Sequence, residues 1–136
     1  MSKITLDIEG YDPVEDPTAE YVARALEHIT PRGPSVFILT RADGSFVQTA
    51  GSRIRLSVEA RYVRPEGFRH LIVGVEDEDT ELTTVVYSCG SLDVQKCEVL
   101  RLRDAQIIFD GFLRTGQIPA PYIVRDVTNM FEDAVE

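Results

Sequence analysis

The chain begins with a two-residue rhythm. In "KITLDIE", Ile4, Leu6 and Ile8 alternate with Lys3, Thr5 and Asp7, which predicts a strand with one buried face. The rhythm then lengthens. In "EDPTAEYVARALEHITPRGP", Tyr21, Val22, Ala25, Leu26 and Ile29 fall on one helical face. Asp16 suits the N-cap and Pro17 the first helical position, while Pro31 and Gly33 end the helix. "SVFILTRADGSFVQTAG" predicts two strands, near 35–41 and 45–50, paired across an Asp43–Gly44 turn. "RIRLSVEARYV" alternates again, with Ile54, Leu56, Val58, Ala60 and Tyr62 inward and Arg53, Arg55, Ser57, Glu59 and Arg61 outward. A strand with one wet face implies an antiparallel sheet.

"RPEG" makes a turn and "FRHLIVGV" returns as a strand. "LTTVVYSCG" and a shorter run near 94–100 add two more. "RDAQIIFDGFLRTGQIP" is a second helix with Ala105, Ile108, Phe109, Phe112 and Leu113 on its buried stripe, stopped by Gly116 and Pro119. The last stretch, "APYIVRDVTNMFEDAVE", reads as an extended segment and a frayed acidic end with a short helical turn. The order predicts an α+β fold. An antiparallel meander of about five to six strands would carry an N-terminal and a C-terminal helix on one face, opposite the arginines. No repeat or linker divides the chain, so residues 1–136 form one expected domain.

Composition narrows the function. Hydrophobic residues make up 43% of the 136, enough for a packed core. No run approaches a membrane span, and the polar start lacks the pattern of a secretion signal. Two cysteines are too few for a disulfide scaffold, which points to the cytoplasm. The net charge of −9 argues against direct binding to nucleic acid or an anionic membrane and favours a basic protein partner.

The charge concentrates in "GVEDEDTELT", residues 74–83, where Glu76, Asp77, Glu78, Asp79 and Glu81 crowd what reads as a hairpin tip with no lysine or arginine among them. Such a run can be a solvated loop, a metal site, or an imitation of polyanion. It lacks the glycine and spacing of a calcium loop, and no Cys/His cluster offers a zinc site, so no metal or other cofactor is expected. As a polyanion mimic, it would raise association rates and selectivity toward a basic groove. No nucleophile elbow or phosphate loop occurs. His28, His70, Cys89 and Cys97 are read as structural residues, and no enzymatic activity is expected.

Two stretches carry a resemblance: "FILTRADGSFVQTAG" with "LSVEARYV", within residues 36–63, and "CEVLRLRDAQIIFDGFLRTGQIPAPYIVRD", residues 97–126. They share a strand with a "DG" turn, a strand with a glutamine, a strand with a glutamate, and a late helix leading to "FLRTGQIP". The pattern resembles the first-numbered family of immunity proteins from bacterial polymorphic toxin systems. The resemblance implies a small cytoplasmic α+β protein, encoded beside a toxin, that binds the toxin domain and blocks it. Several partner toxins of that family are nucleic-acid deaminases or nucleases. The family has no catalytic residues, so contacts are assigned from charge. Glu76, Asp77, Glu78, Asp79 and Glu81 form the expected contact cluster, with Asp7, Glu9 and Asp43 as further candidates and Phe46 or Tyr62 as aromatic anchors if exposed. The alternatives are a non-enzymatic adaptor or homo-oligomerising sheet protein using an edge strand, and a small enzyme pairing Cys89 or Cys97 with a histidine.

Overall fold

The Asp43–Gly44 turn closes a hairpin in the computed structural model, with β3 (Val36–Thr40) and β4 (Phe46–Gly51) in antiparallel register from Thr40–Phe46 to Val36–Ala50. The structure describes residues 3–135, with side chains as far as residue 131; the acidic end expected from Glu132, Asp133 and Glu136 lies outside what is described. Around this hairpin stand β1 (Thr5–Ile8), β2 (Val14–Glu15), β5 (Leu56–Arg64), β6 (Gly67–Gly74) and β9 (Ile123–Asp126). Together they form a seven-stranded antiparallel sheet in the order β2-β1-β3-β4-β5-β6-β9. A second sheet holds only β7 (Leu82–Tyr87) and β8 (Gly90–Gln95). The helices are α1 (Ala19–Leu26), α2 (Leu102–Thr115) and α3 (Thr128–Val135), with a 3-10 turn at Lys96–Glu98. The protein is therefore α+β, with nine strands and three helices among the described residues.

Leu6, Leu39, Val47 and Ala60 stand opposite one another across four adjacent strands. They join Phe37, Val58 and Val73 in one core with Val22, Leu26 and Ile29 from the α1 region and Ala105, Ile108, Phe109 and Phe112 of α2. Each Val, Leu, Ile or Phe side chain among them, removed from water, contributes about 1.5–3 kcal/mol. Gln106 Nε2 donates to Ala23 O across 2.9 Å, which fixes α2 against α1. Gly116 closes α2 at φ 76°, a left-handed backbone that glycine adopts without a Cβ clash, and its N–H donates to Phe112 O.

A second, smaller core joins Ile72, Val85, Val94 and Val127. It corrects the expectation of a wet face. Ser57 is buried, while Glu59 and Arg61 are half-buried. Ile54, expected inside, lies ahead of β5 and is 71% exposed. The helix start is also corrected. Thr18 is the N-cap of α1, accepting from Tyr21 N at 3.0 Å. Asp16 instead accepts from Ile4 N at 3.1 Å and donates its own N–H to Ile4 O, which ties it to β1.

Candidate binding site: an acidic loop joining two sheets

The acidic run is not the tip of a hairpin. β6 pairs with β5 and β9, whereas β7 pairs with β8, so residues 75–81 cross from one sheet to the other. The loop leaves at Gly74, where a Cβ would meet Cys97 O at 2.8 Å. Only glycine allows that approach without displacing backbone. Val75 N donates to Cys97 O at 2.9 Å, and Lys96 N donates to Glu81 O at 2.9 Å. Both feet of the loop therefore rest on the same short segment.

Within the loop the side chains order the backbone. Asp77 Oδ1 accepts from Asp79 N, and Asp79 Oδ1 accepts from Glu81 N, each at 3.0 Å. Two successive Asx turns result. The sequence shows no cation among the five acids, but the fold supplies one. Lys96 Nζ lies 2.9 Å from Glu81 Oε2 and 4.0 Å from Asp79 Oδ2. The Glu81 hydrogen bond, aided by the charges of Glu81 and Asp79, pushes the Lys96 ammonium pKa up. All five acids are exposed, and Glu76 and Glu78 make no ion pair among the described residues.

The loop runs directly into β7. Leu82, Thr84 and Val86 share that strand's outer face by alternation, with Leu82 66% and Val86 60% exposed, while Val85 points into the small core. Carboxylates and an apolar strip thus stand side by side. The sequence predicts a strand in "LTTVVY", but its apolar and polar residues do not alternate, so nothing local reveals which side faces out.

The other expected acids do not join this cluster. Asp43 is exposed in the β3–β4 turn, where its Oδ1 accepts from Ser45 N at 2.8 Å. It lines a cleft with Arg41 and Arg64, at the end of β5 away from the loop. The eight residues of β6 separate the two ends by roughly 23 Å. Asp7 is half-buried in β1, opposite Ile38. Glu9 is engaged: its carboxylate accepts from Ser35 N at 2.7 Å, from Ser35 Oγ at 3.2 Å and from Ser88 Oγ. The Ser88 hydrogen bond, followed by that from Ser35 N, holds its pKa below the usual glutamate range. Glu9 clips the β7–β8 turn to the start of β3. Phe46 and Tyr62 are both half-buried, Phe46 beside His70 and Arg61, and Tyr62 beside Phe112.

The histidines and cysteines stand apart. His70 is 2% exposed; its Nδ1 accepts from Arg61 Nε at 3.0 Å, and its Nε2 lies 2.6 Å from Glu59 Oε1. Arg61 also lies over the rings of Phe46, Phe68 and Phe131 at 5.7, 4.1 and 4.8 Å. Cys97 is buried, its Sγ donating to Gln95 Oε1 at 3.7 Å, and burial together with the nearby Glu98 charge pushes its thiol pKa up. Cys89 is exposed in the β7–β8 turn, and His28 is exposed beyond α1. Among the described residues no three His, Cys, Asp or Glu side chains converge as metal ligands would. No helix among the described residues is long and apolar enough to cross a membrane.

The fold and site together define an α+β protein that presents an ordered acidic loop beside an exposed apolar strip. No protein-family model matches the chain, and no curated protein matches it. The likeness to immunity proteins therefore rests on the residues quoted for it.

Proposed function

We propose that the protein is a non-enzymatic immunity protein. In this reading it binds a bacterial toxin domain in the cytoplasm and closes that domain's basic substrate groove with the acidic loop. A toxin acting on nucleic acid, a deaminase or nuclease, has a groove suited to polyanion, and carboxylates can take that place.

One observation carries the reading: five exposed carboxylates, ordered by two Asx turns and by Lys96, continue into the exposed Leu82–Val86 strip. The acids would steer encounter, and the strip would supply the desolvated centre that concentrates binding energy. Preordering lowers the entropy lost when the loop meets a partner.

The test is association kinetics with the toxin domain encoded next door, produced as an inactive variant. Reversing Glu76, Asp77 and Glu78 to lysine is expected to slow association at low salt by about tenfold or more. Association rates and salt dependence that match the parent protein would refute the reading.

A further inference from the structure

We propose that the cleft between α1 and the β1–β2 hairpin binds a free aromatic amino acid, its ammonium group on Asp12 and its carboxylate on Arg24 and His28. β1 stands four strands from β6, roughly 19 Å across the sheet, so this site is separate from the acidic loop. The proposal does not depend on the toxin reading.

The cleft encloses about 760 Å³, within the range of small-molecule sites. Its floor is the margin of the main core. Phe37 is fully buried and pairs with Ile8 across β3 and β1, while Val14 and Ala25 are half-buried against the same core. Tyr11, from the β1–β2 connection, is 67% exposed, and Tyr21, from α1, is 46% exposed. Both line the opening. An apolar floor flanked by two aromatic side chains accepts a flat ring.

Charge chooses the occupant, because the two sides of the cleft differ in sign. On the helix side, Tyr21, Arg24, Ala25 and His28 line the cavity at helical spacing, beside the core stripe of Val22, Leu26 and Ile29. His28 stays on that side because its N–H donates to Ala25 O at 3.1 Å and continues the turn. Its ring offers an N–H donor in either protonation state. The β1–β2 connection supplies Asp12, which is exposed. No ion pair joins Asp12 to Arg24 or His28 among the described residues. Arg24 pairs with Glu20 at 2.9 Å, but the two side chains are 74% and 73% exposed, and so open a pair exchanges partners at little cost. A simple cation would meet repulsion from the helix side, and a simple anion from Asp12. A zwitterion satisfies both. An α-amino acid carries ammonium and carboxylate on one carbon and leaves its side chain free to reach the Phe37 floor.

The chain contains no tryptophan, so L-tryptophan serves as its own reporter. Excited beyond tyrosine absorption, its emission should shift to the blue and saturate as the full chain is added. Tryptamine, which lacks the carboxylate, and indole-3-propionate, which lacks the ammonium group, should each bind about tenfold more weakly through loss of one charge-assisted contact. Asp12→Asn should weaken tryptophan by a similar factor without weakening indole-3-propionate. Arg24→Gln should weaken tryptophan without weakening tryptamine. Both side chains are exposed, so both variants keep the fold. Equal affinity for the three indoles, or no saturation at millimolar ligand, would overturn the proposal. So would tryptophan binding that survives both variants unchanged.

Discussion

His70 Nε2 meets Glu59 Oε1 at 2.6 Å while Arg61 Nε donates to Nδ1 of the same ring, so one buried imidazole joins an acid and a base from β5. Since Nδ1 accepts, the network assigns the proton to Nε2, which donates to the carboxylate. The ring also packs on Phe131 of α3, with centroids 4.3 Å apart. His70→Ala is expected to cost about 2–4 kcal/mol, from the lost ring and two orphaned polar partners. Glu59→Gln keeps an acceptor and should cost about 1 kcal/mol. Denaturant titration separates the two, and hydrogen exchange should show residues 128–131 opening first in His70→Ala.

Glu98 is 2% exposed and is gripped by Arg125, with Nε 2.8 Å from Oε2 and the terminal nitrogen 2.9 Å from Oε1. Gln95 N also donates to Oε1, at 2.8 Å. Removing Arg125 leaves a buried carboxylate with one neutral donor. Arg125→Met is expected to cost about 3 kcal/mol, and the pair Glu98→Gln with Arg125→Met to cost less than the single change. A double-mutant cycle in urea measures this.

Gly74→Ala would place a methyl group 2.8 Å from Cys97 O, at the foot of the acidic loop. The backbone must shift, at about 1–3 kcal/mol. The Val75–Cys97 hydrogen bond should weaken with it, so faster amide exchange at Val75 is the local signature.

Asp126 titrates at about 2, below its ordinary 3.8, because the Thr128 hydroxyl and N–H, then Arg69, bond its charged form. A carboxylate whose pKa falls on folding adds stability above its unfolded value, and that stability disappears as the pH drops through the folded one. The contribution is therefore complete at neutral pH and fades between about pH 5 and pH 2. Glu9 shifts in the same direction. Asp126→Asn should flatten the acid side of a plot of urea midpoint against pH, and an unchanged slope over that window would remove Asp126 as a contributor.

The hairpin at Asp43–Gly44, the alternation in β5 and the stop at Gly116 were legible because each depends on neighbours in sequence. Two features were not. The acidic run reads as a hairpin tip because consecutive strands usually pair, yet β6 takes β9 as its partner from some fifty positions away. Likewise, alternation marks Ser57, Glu59 and Arg61 as solvent-facing, but it cannot tell that the small core around Val85 and Val94, and Phe131 of α3, will cover them. Lys96 shows the same limit: its role as counter-ion to Glu81 exists only once the 3-10 turn has been folded beneath the loop.

The two backbone bonds that seat residues 75 and 81 on neighbouring positions, Cys97 and Lys96, make the acidic segment a closed lobe on a narrow stalk. Lengthening such a lobe twofold adds only about 0.6 kcal/mol of closure entropy. Its reach and its pattern of acids can consequently be altered while both sheets keep their register.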